Sequence, residues 1–432
     1  MQNKRIYLSD NYLFQYYGEL IIATSKINGM ELRMNRVDSL IIESVNQYVD
    51  VQLIINNAIR GLNISEEKQN LIEESVKIQI KKLCDSGILD DKNNHNCSIL
   101  KNKIYGDKGL FYPGYINIEL TNACNFKCEH CYKEAGIKND YLDFRSIMLL
   151  KEIFKNKTPL IQLSGGEPFL YPQITQLINE LSDCFKISIV SNGSRISVVD
   201  VEVLKKINNL QISLYGTNEK EYYTFTNNLN GFKLLQEGCN HLKKNNIPFT
   251  CAVTVNKNNI NKIDEICQTA YVLGAKELRF GLGSLVGRLK KERLNYIFDN
   301  STVRMIYRNI RRQQEKYKGK MNIELWNEKN KKDFNFDIKI SDGLSCGAGC
   351  RSIVVSEKGI IRPCEFLPDK YFSLGDLNQY KEFIYGKKKC NFIKEMKQFN
   401  EELSKENVSF GDICEPLDNY YKLINMKESN EI

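Results

Sequence analysis

Three closely spaced cysteines are the strongest chemical signal in the sequence. They stand in the run Cys124-Asn-Phe-Lys-Cys128-Glu-His-Cys131, four and then three positions apart. A loop with this spacing can wrap three thiolates around one face of an iron-sulfur cube and leave the fourth iron without a protein ligand. Structural zinc is the alternative, but it needs a fourth ligand, and His130 is badly placed for it because it adjoins Cys131. The spacing favours a cluster.

Two polar turns lie further along the chain, each at the end of a predicted strand. The first carries Gly165, Gly166 and Glu167 in the motif SGGEP, and the second carries Ser191 and Asn192 in the motif SNG. Paired glycines let the backbone approach a ligand closely, and the glutamate adds a carboxylate. Because the carboxyl ends of parallel strands lie at one rim, both turns are expected beside the three cysteines.

A second group of cysteines stands near the end of the chain: Cys346, Cys350, Cys364, Cys390 and Cys414. A hairpin is predicted over Ser352 to Pro363, with its turn at Gly359. This hairpin would bring its two ends together, so that Cys346 and Cys364 can face one site. Structural zinc remains the alternative for this group.

Length and composition indicate a globular protein with more than one domain. The chain has 432 residues, of which 42% are apolar and 26% charged. No apolar run is long enough to span a membrane, and the N-terminus lacks a secretory signal, so a cytoplasmic location is expected. Fourteen cysteines without a secretion signal favour metal or redox chemistry over disulfides.

The net charge of +8 is concentrated in one segment. Residues 1–110 carry 14 basic and 14 acidic side chains, whereas residues 288–332 carry 14 and 5, a net charge of +9. Since no nucleic-acid recognition motif accompanies this excess, we interpret the segment as a solvated helical face and predict no nucleic-acid partner.

The first ninety residues predict a winged-helix-like α+β module. A hairpin over Tyr12 to Lys26, with turn points at Gly18 and Asn28-Gly29, precedes three helical patterns, the first of which Asp38 can cap. We place this domain at residues 1–95 and a linker at residues 96–111.

From residue 115 onward, apolar strands alternate with amphipathic helices. The predicted strands are Tyr115 to Thr121, Leu160 to Gly165, Ile187 to Asn192, Leu210 to Gly216, Pro248 to Asn256 and Glu277 to Gly283. Such alternation predicts a parallel sheet with outer helices, either doubly wound or curled into a partial barrel. A basic helix, about Ser301 to Lys320, closes this domain, and a cysteine-containing domain is placed at residues 338–432.

The motifs CNFKCEHC, SGGEP and SNG, in this order on successive strands, resemble those of the radical S-adenosylmethionine (SAM) superfamily. The resemblance covers residues 112–320 and implies a partial (β/α)6 TIM-like barrel. It also implies a 4Fe-4S cluster, held by the three cysteines of CNFKCEHC, whose open iron chelates the amino and carboxylate groups of SAM. The reduced cluster would cleave SAM to a 5'-deoxyadenosyl radical, which abstracts hydrogen from unactivated C–H bonds.

The same resemblance implies a set of SAM contacts. The Gly165-Gly166-Glu167 turn would receive the amino group, and Ser191 and Asn192 would line the ribose. The methionine carboxylate would meet Ser213 in QISLYG and Arg279 in ELRFG. His130 departs from the family pattern, which has an aromatic residue before the third cysteine, but its flat ring can still pack on adenine.

The flanking regions resemble parts of enzymes that modify ribosomally made peptides. The C-terminal cysteines resemble the start of SPASM and twitch extensions, which carry auxiliary iron-sulfur clusters; Cys346, Cys364 and Cys414 are the first candidates, and Cys350 and Cys390 compete for the remaining position. The N-terminal module resembles the recognition element that binds a leader peptide by β-augmentation. A reductant such as flavodoxin or ferredoxin is implied as a partner.

The overall arrangement, including LVGR after the sixth strand, most resembles the sactipeptide thioether synthases. This resemblance implies an oxidoreductase that joins a cysteine of a precursor peptide to an α-carbon. Epimerisation or carbon-carbon bonding is the alternative product, with Cys390 or Cys251 as possible hydrogen donors for an epimerase, and a small-molecule radical enzyme is a second alternative. An iron-sulfur regulator with a DNA-binding winged helix is the non-enzymatic alternative, although a net charge of zero disfavours it.

Overall fold

The described residues of the chain form two units. The computed structural model describes residues 5–26, 30–91, 104–283, 286–290, 293–296, 298–325, 348–349, 351–367, 369 and 373–377. The first unit comprises the described residues up to 114 together with 154–159, and the second comprises 115–153 and the described residues from 160 onward. No helix in these ranges is long and apolar enough to cross a membrane.

The first unit consists of short strands packed against three helices. Its elements are β1 (Tyr7–Leu8), β2 (Tyr12–Tyr17), β3 (Leu20–Ser25), β4 (Glu31–Arg33), α1 (Arg36–Gln47), α2 (Val51–Gly61), α3 (Glu66–Asp85), β5 (Leu89–Asp90) and β6 (Ile104–Tyr105). A four-stranded sheet has the order β4-β3-β2-β6, and β1 pairs separately with β5. The predicted hairpin is confirmed as β2 and β3, whereas Asn28-Gly29 lies outside the described residues.

One predicted helix cap in this unit is wrong. The backbone N–H of Asp38 donates to the side chain of Asn35, so Asn35 is the N-cap of α1 and Asp38 lies in its first turn. The Asp38 carboxylate instead accepts a hydrogen bond from Gln79 of α3. Either residue type can cap a helix, so the sequence alone did not separate them.

The second unit is built on one sheet with nine described strands. Its elements are β7 (Tyr115–Glu119), α4 (Phe144–Phe154), β8 (Leu160–Ser164), α5 (Ile174–Ser182), β9 (Lys186–Ser191), α6 (Val201–Leu204), β10 (Asn209–Ser213), α7 (Glu219–Thr226), α8 (Gly231–Lys244), β11 (Thr250–Val255), α9 (Ile263–Leu273), β12 (Glu277–Leu282), α10 (Asn300–Lys316), β13 (Asn322–Leu325), β14 (Ser352–Val355) and β15 (Ile361–Arg362). The strand order is β13-β12-β11-β10-β9-β8-β7-β14-β15. Strands β7 to β12 are parallel and follow chain order, so the six predicted strands are confirmed.

Apolar residues fix the layers of this unit. Buried residues recur at helical spacing along α8, at Phe232, Leu235, Cys239 and Leu242, and form the stripe that packs on the sheet. Cys251 in β11 is fully buried, and burial, with a smaller contribution from nearby Cys239 of α8, raises the pKa of its thiol. Cys251 therefore faces the helix layer.

Three strands extend the sheet beyond the six predicted ones. On one side β13 pairs in parallel with β12; on the other, β14 pairs in parallel with β7. The hairpin predicted around Gly359 is confirmed as β14 and β15, and Gly359 has the positive φ of +76° that its turn requires. The end of this hairpin carries Cys364.

Candidate active site

The loop after β7, residues 120–136, carries the three clustered cysteines and is called the cysteine loop below. The glycines of the SGGEP turn pack directly against its backbone. A Cβ at Gly166 would lie 2.1 Å from the carbonyl oxygen of Ala123, and one at Gly165 would lie 2.5 Å from that of Thr121. The Gly166 N–H donates to Thr121 and the Glu167 N–H to Ala123, at 2.7 and 2.8 Å. These glycines thus allow two loops of the protein to meet.

Two sulfurs of the cysteine loop accept hydrogen bonds, from backbone N–H groups of the loop and from the SNG turn. The Cys124 Sγ accepts from the Phe126 N–H at 3.5 Å and from the Asn192 side-chain amide at 3.9 Å, and the Cys131 Sγ accepts from the Ala135 N–H at 3.4 Å. Such bonds stabilise thiolates and tune the metal they bind.

Burial keeps two of these thiols protonated in the metal-free protein. It raises the pKa of Cys124 to about 12 and also raises the pKa of Cys128, since an apolar environment disfavours the thiolate. Iron must therefore displace protons when it binds here. In the described part of the chain, no three Cys, His, Asp or Glu side chains are grouped so that they could hold a single metal ion.

Glu167 connects the two polar turns predicted from the sequence. Its carboxylate is fully buried and accepts from the Phe169 N–H, the Ser191 hydroxyl and the Asn192 N–H, at 3.1, 2.8 and 2.8 Å. Burial raises the pKa of Glu167 to about 7, although all three donors favour the ionised form. Both carboxylate oxygens are used within the protein, so Glu167 positions the SNG turn against the SGGEP turn.

Replacing Glu167 with glutamine is expected to lower the free energy of unfolding of the metal-free protein by about 1–3 kcal/mol. The new amide would place an N–H donor against one of the buried donors that the carboxylate now satisfies. Urea unfolding measures the loss. Glu202→Gln is the matched control, because Glu202 is exposed and paired with the exposed Lys205, and it should change stability by less than about 0.5 kcal/mol. Equal effects of the two substitutions would contradict this role of Glu167.

The SNG turn lies directly beside the cysteine loop. The Asn192 side-chain amide donates to Asn125 at 3.0 Å in addition to contacting Cys124, and the Ser191 hydroxyl accepts from the Gly193 N–H at 2.9 Å. The structure thus brings the SNG turn to Cys124 through Asn192, as predicted, whereas Ser191 contacts Glu167 and Gly193.

An aromatic cluster surrounds His130. Its ring lies 5.5 Å from Tyr215 and 5.0 Å from Phe225, which stack on each other. Burial and the nearby charge of Arg288 lower the pKa of His130 to about 4, so the imidazole is neutral. Its Nδ1 atom is buried and has no hydrogen-bond partner within the described ranges. Tyr215 and Phe225 were missed by the sequence analysis, although Tyr215 lies just past a strand end, where functional residues concentrate.

Ser213 and Arg279 lie at one level of the sheet. Strand register places Ser213 opposite Ala252, and Ala252 opposite Arg279. The Arg279 guanidinium is already paired with Glu277 and lies 3.8 Å from the carboxylate of Glu324. Any contact of Arg279 with a ligand carboxylate would compete with these two carboxylates.

A buried charge network joins the cysteine loop to the β14–β15 hairpin. Glu119, fully buried at the end of β7, accepts from the Tyr132 hydroxyl at 2.9 Å, from Lys133 at 2.7 Å and from Arg362 of β15. Lys133 also pairs with Glu357 of the hairpin turn at 2.6 Å. A charged residue inside an apolar strand is a signal that could have revealed Glu119 from the sequence.

The second cysteine group is described only at Cys364. This residue follows β15 by two positions and is half-buried. The other members lie outside the described residues: Cys346, Cys350, Cys390 and Cys414. The hairpin that carries Cys364 is nevertheless fastened to the cysteine loop through Glu119.

Comparison with known proteins identifies the segment that contains the cysteine loop and both polar turns. Residues 118–270 match the family model of the radical SAM superfamily. This segment is a radical SAM domain. The chain is also 25% identical over 313 residues to AlbA, the antilisterial bacteriocin subtilosin biosynthesis protein of Bacillus subtilis (strain 168), a match that covers 70% of this chain and 66% of AlbA.

Two further relatives extend the comparison. The sporulation killing factor maturation protein SkfB of Bacillus subtilis (strain 168) is 25% identical over 61% of this chain and 62% of SkfB. The chain therefore matches less than two thirds of the length of both curated relatives. The crystal structure of Streptococcus suis SuiB bound to SAM superposes with a TM-score of 0.59, at 15% identity over 88% of this chain and 89% of SuiB. The partial TIM-like barrel expected for the radical SAM domain is confirmed.

Radical SAM domains bind a 4Fe-4S cluster and SAM, and the residues of the cysteine loop fit both. Three thiols within one loop are the donor set that such a cube requires. The buried, unpartnered Nδ1 of His130, which adjoins Cys131, is a hydrogen-bonding atom that a bound ligand can satisfy.

Proposed function

We propose that this protein is a radical SAM enzyme that modifies a ribosomally synthesised precursor peptide. The observation that carries the proposal is the similarity to AlbA, which spans 313 residues and so extends well beyond residues 118–270. SkfB, a maturation protein, adds support. SuiB, whose fold the chain shares, has also been crystallised with the precursor peptide SuiA bound.

In this proposal Cys124, Cys128 and Cys131 hold the cluster, and the surrounding residues bind and orient SAM. Together the bound groups supply a 5'-deoxyadenosyl radical that removes a hydrogen atom from the substrate. Glu167 keeps the SNG turn in place, and the aromatic cluster around His130 excludes water from the site. The assigned SAM contacts are His130, Gly165, Gly166, Glu167, Ser191, Asn192, Ser213 and Arg279.

The C-terminal region is assigned an auxiliary iron-sulfur cluster of the SPASM or twitch type. Its candidate ligands are Cys346, Cys350, Cys364, Cys390 and Cys414. Support comes from the hairpin that presents Cys364 and from the Glu119 network that fastens this hairpin to the cysteine loop. A flavodoxin or ferredoxin supplies the electron that reduces the radical SAM cluster.

The assigned product is a thioether between a cysteine and an α-carbon of the peptide, as the similarity to a subtilosin biosynthesis protein suggests. Epimerisation needs a thiol that returns a hydrogen atom to the substrate radical. Cys251 does not suit this role, because its thiol is fully buried and lies near Cys239 of α8. Epimerisation, for which Cys390 is the other candidate donor, and carbon-carbon bonding are the alternative products that mass spectrometry must distinguish from a thioether.

The first unit is assigned the capture of the leader peptide. Within the described residues its sheet ends at β4, whose one neighbour in the strand order is β3. An edge strand of this kind can accept an extended peptide as a further strand, with backbone hydrogen bonds supplying affinity. The core of the peptide would then be delivered to the barrel.

Deleting residues 1–100 is expected to abolish modification of the full-length precursor while sparing uncoupled SAM cleavage. All cluster and SAM residues assigned above lie beyond residue 100, whereas β4 and its sheet partner β3 lie before it. Mass spectrometry of the peptide and chromatography of 5'-deoxyadenosine measure the two activities separately. Fluorescence anisotropy of a labelled leader gives the binding directly. Normal modification of the full-length peptide by the shortened enzyme would refute leader capture by this unit.

A further inference from the structure

A tight turn after β12 contacts the backbone of the cysteine loop. Gly287 lies in this turn with φ of +58°, and a Cβ there would lie 2.4 Å from the carbonyl oxygens of both Cys131 and Tyr132. Those atoms are backbone and have no room to move aside, so only glycine fits. The chain therefore brings this turn into direct contact with two consecutive residues of the loop.

The next residue, Arg288, hydrogen-bonds to three carbonyl groups of the same loop. Its backbone N–H donates to the Cys131 carbonyl at 3.0 Å. Its guanidinium donates from Nε to the Cys128 carbonyl at 2.9 Å and from Nη1 to the Ala135 carbonyl at 3.0 Å. The planar fork of arginine holds two groups in fixed directions, which the single ammonium of lysine does not do. Two of the three acceptors belong to assigned cluster ligands.

The positive charge of Arg288 lies directly against the cysteine loop, because its guanidinium donates to the carbonyls of Cys128 and Ala135. A reduced iron-sulfur cluster carries one more negative charge than its oxidised form. A guanidinium close to the ligands therefore stabilises the reduced state and raises the reduction potential.

We propose that Gly287 and Arg288 are positioning residues that clamp the cysteine loop, and that the charge of Arg288 raises the reduction potential of the cluster bound there. The effect on the reduction potential rests on the cluster assigned under the proposed function. The clamping of the cysteine loop concerns the protein chain alone and is measurable without iron.

Hydrogen exchange of the full-length, metal-free protein tests the clamp. Arg288→Gln should speed exchange of the amides in residues 124–136 by about tenfold or more, because the charged hydrogen bonds that hold their carbonyl neighbours are lost. Arg312→Gln is the matched control, since it removes the same charge from an exposed pair with Asp264 and should leave these amides unchanged. Unchanged exchange in Arg288→Gln would overturn the clamp.

Glycine substitutions give a second, independent test of the contact. Gly287→Ala and Gly319→Ala both place a side chain at a positive φ, but a Cβ at Gly319 meets no atom within 4 Å. The backbone strain is shared, so only the contact with the cysteine loop differs. Faster exchange of the loop in Gly287→Ala alone supports the clamp, and equal exchange in the two variants refutes it.

Chelator challenge and a redox titration followed by electron paramagnetic resonance test the reconstituted protein. Loss of iron should become about 10- to 100-fold faster in both Arg288→Gln and Arg288→Lys, because neither side chain reproduces the fork. The midpoint potential should fall in Arg288→Gln and stay near the wild-type value in Arg288→Lys, which keeps the charge. Equal midpoint potentials in the wild type and both variants would overturn the proposed effect of the Arg288 charge. Wild-type protein that binds no cluster would overturn both this effect and the proposed function. Hydrogen exchange would still decide whether Gly287 and Arg288 clamp the cysteine loop.

Discussion

Replacing Cys128 with alanine is expected to reduce the formation of 5'-deoxyadenosine from SAM to the background of the iron-free protein. Cys128 is the middle of the three thiols and is buried in the cysteine loop. Residues 120–136 contain no fourth cysteine that could replace it as a ligand. Two thiolates are too few to hold a cube against loss of iron. Anaerobic reconstitution, reduction and chromatography of the nucleoside measure the effect.

Cys267→Ala is the matched control for this substitution. Cys267 lies in α9 and is fully buried. Its replacement with alanine removes one thiol from the same unit but leaves the cysteine loop unchanged. Its variant should bind iron and cleave SAM as the wild type does, after any loss of stability is allowed for by assaying below the unfolding temperature. Wild-type cleavage by Cys128→Ala would show that the cluster lies elsewhere.

The mature peptide is expected to be lighter by two hydrogens for each bond formed, with one cysteine per bond protected from iodoacetamide. In the proposed reaction the α-carbon would give one hydrogen atom to the 5'-deoxyadenosyl radical, which would become 5'-deoxyadenosine, and the cysteine thiol would lose a proton. An auxiliary cluster would accept the one remaining electron when the carbon-sulfur bond forms. High-resolution mass spectrometry before and after alkylation records both changes.

Two other outcomes would identify a different product. A peptide mass that is unchanged in ordinary water, together with deuterium incorporation at an α-carbon when the reaction runs in heavy water, indicates epimerisation. Loss of two hydrogens with every cysteine still open to alkylation indicates carbon-carbon bonding. A precursor in which each cysteine is replaced by alanine is the matched control and should lose no hydrogens if thioethers are the product.

The six parallel strands of the barrel were predictable because each is a short apolar run between helical patterns, a signal that local sequence contains. The three thiols were predictable for a similar reason, since their spacing is local. Strand β14 was predicted as half of a hairpin, but its parallel pairing with β7 was not, because residues 115 and 352 meet only in the folded chain. The contacts of Gly166 and Arg288 were hidden for the same reason: each depends on a partner distant in sequence.

The pairing of β14 with β7 sets an order of events during folding. The edge of β7 stays open until residues 352–355 have been made, more than two hundred positions later, and contacts between such distant segments form slowly. Until then Glu119 also lacks the guanidinium of Arg362. A ribosome that stalls, or a protease that cuts, before residue 352 therefore leaves both an unpaired strand edge and a buried carboxylate short of one partner. Such fragments should aggregate and be degraded, so cells would accumulate only chains that carry the hairpin.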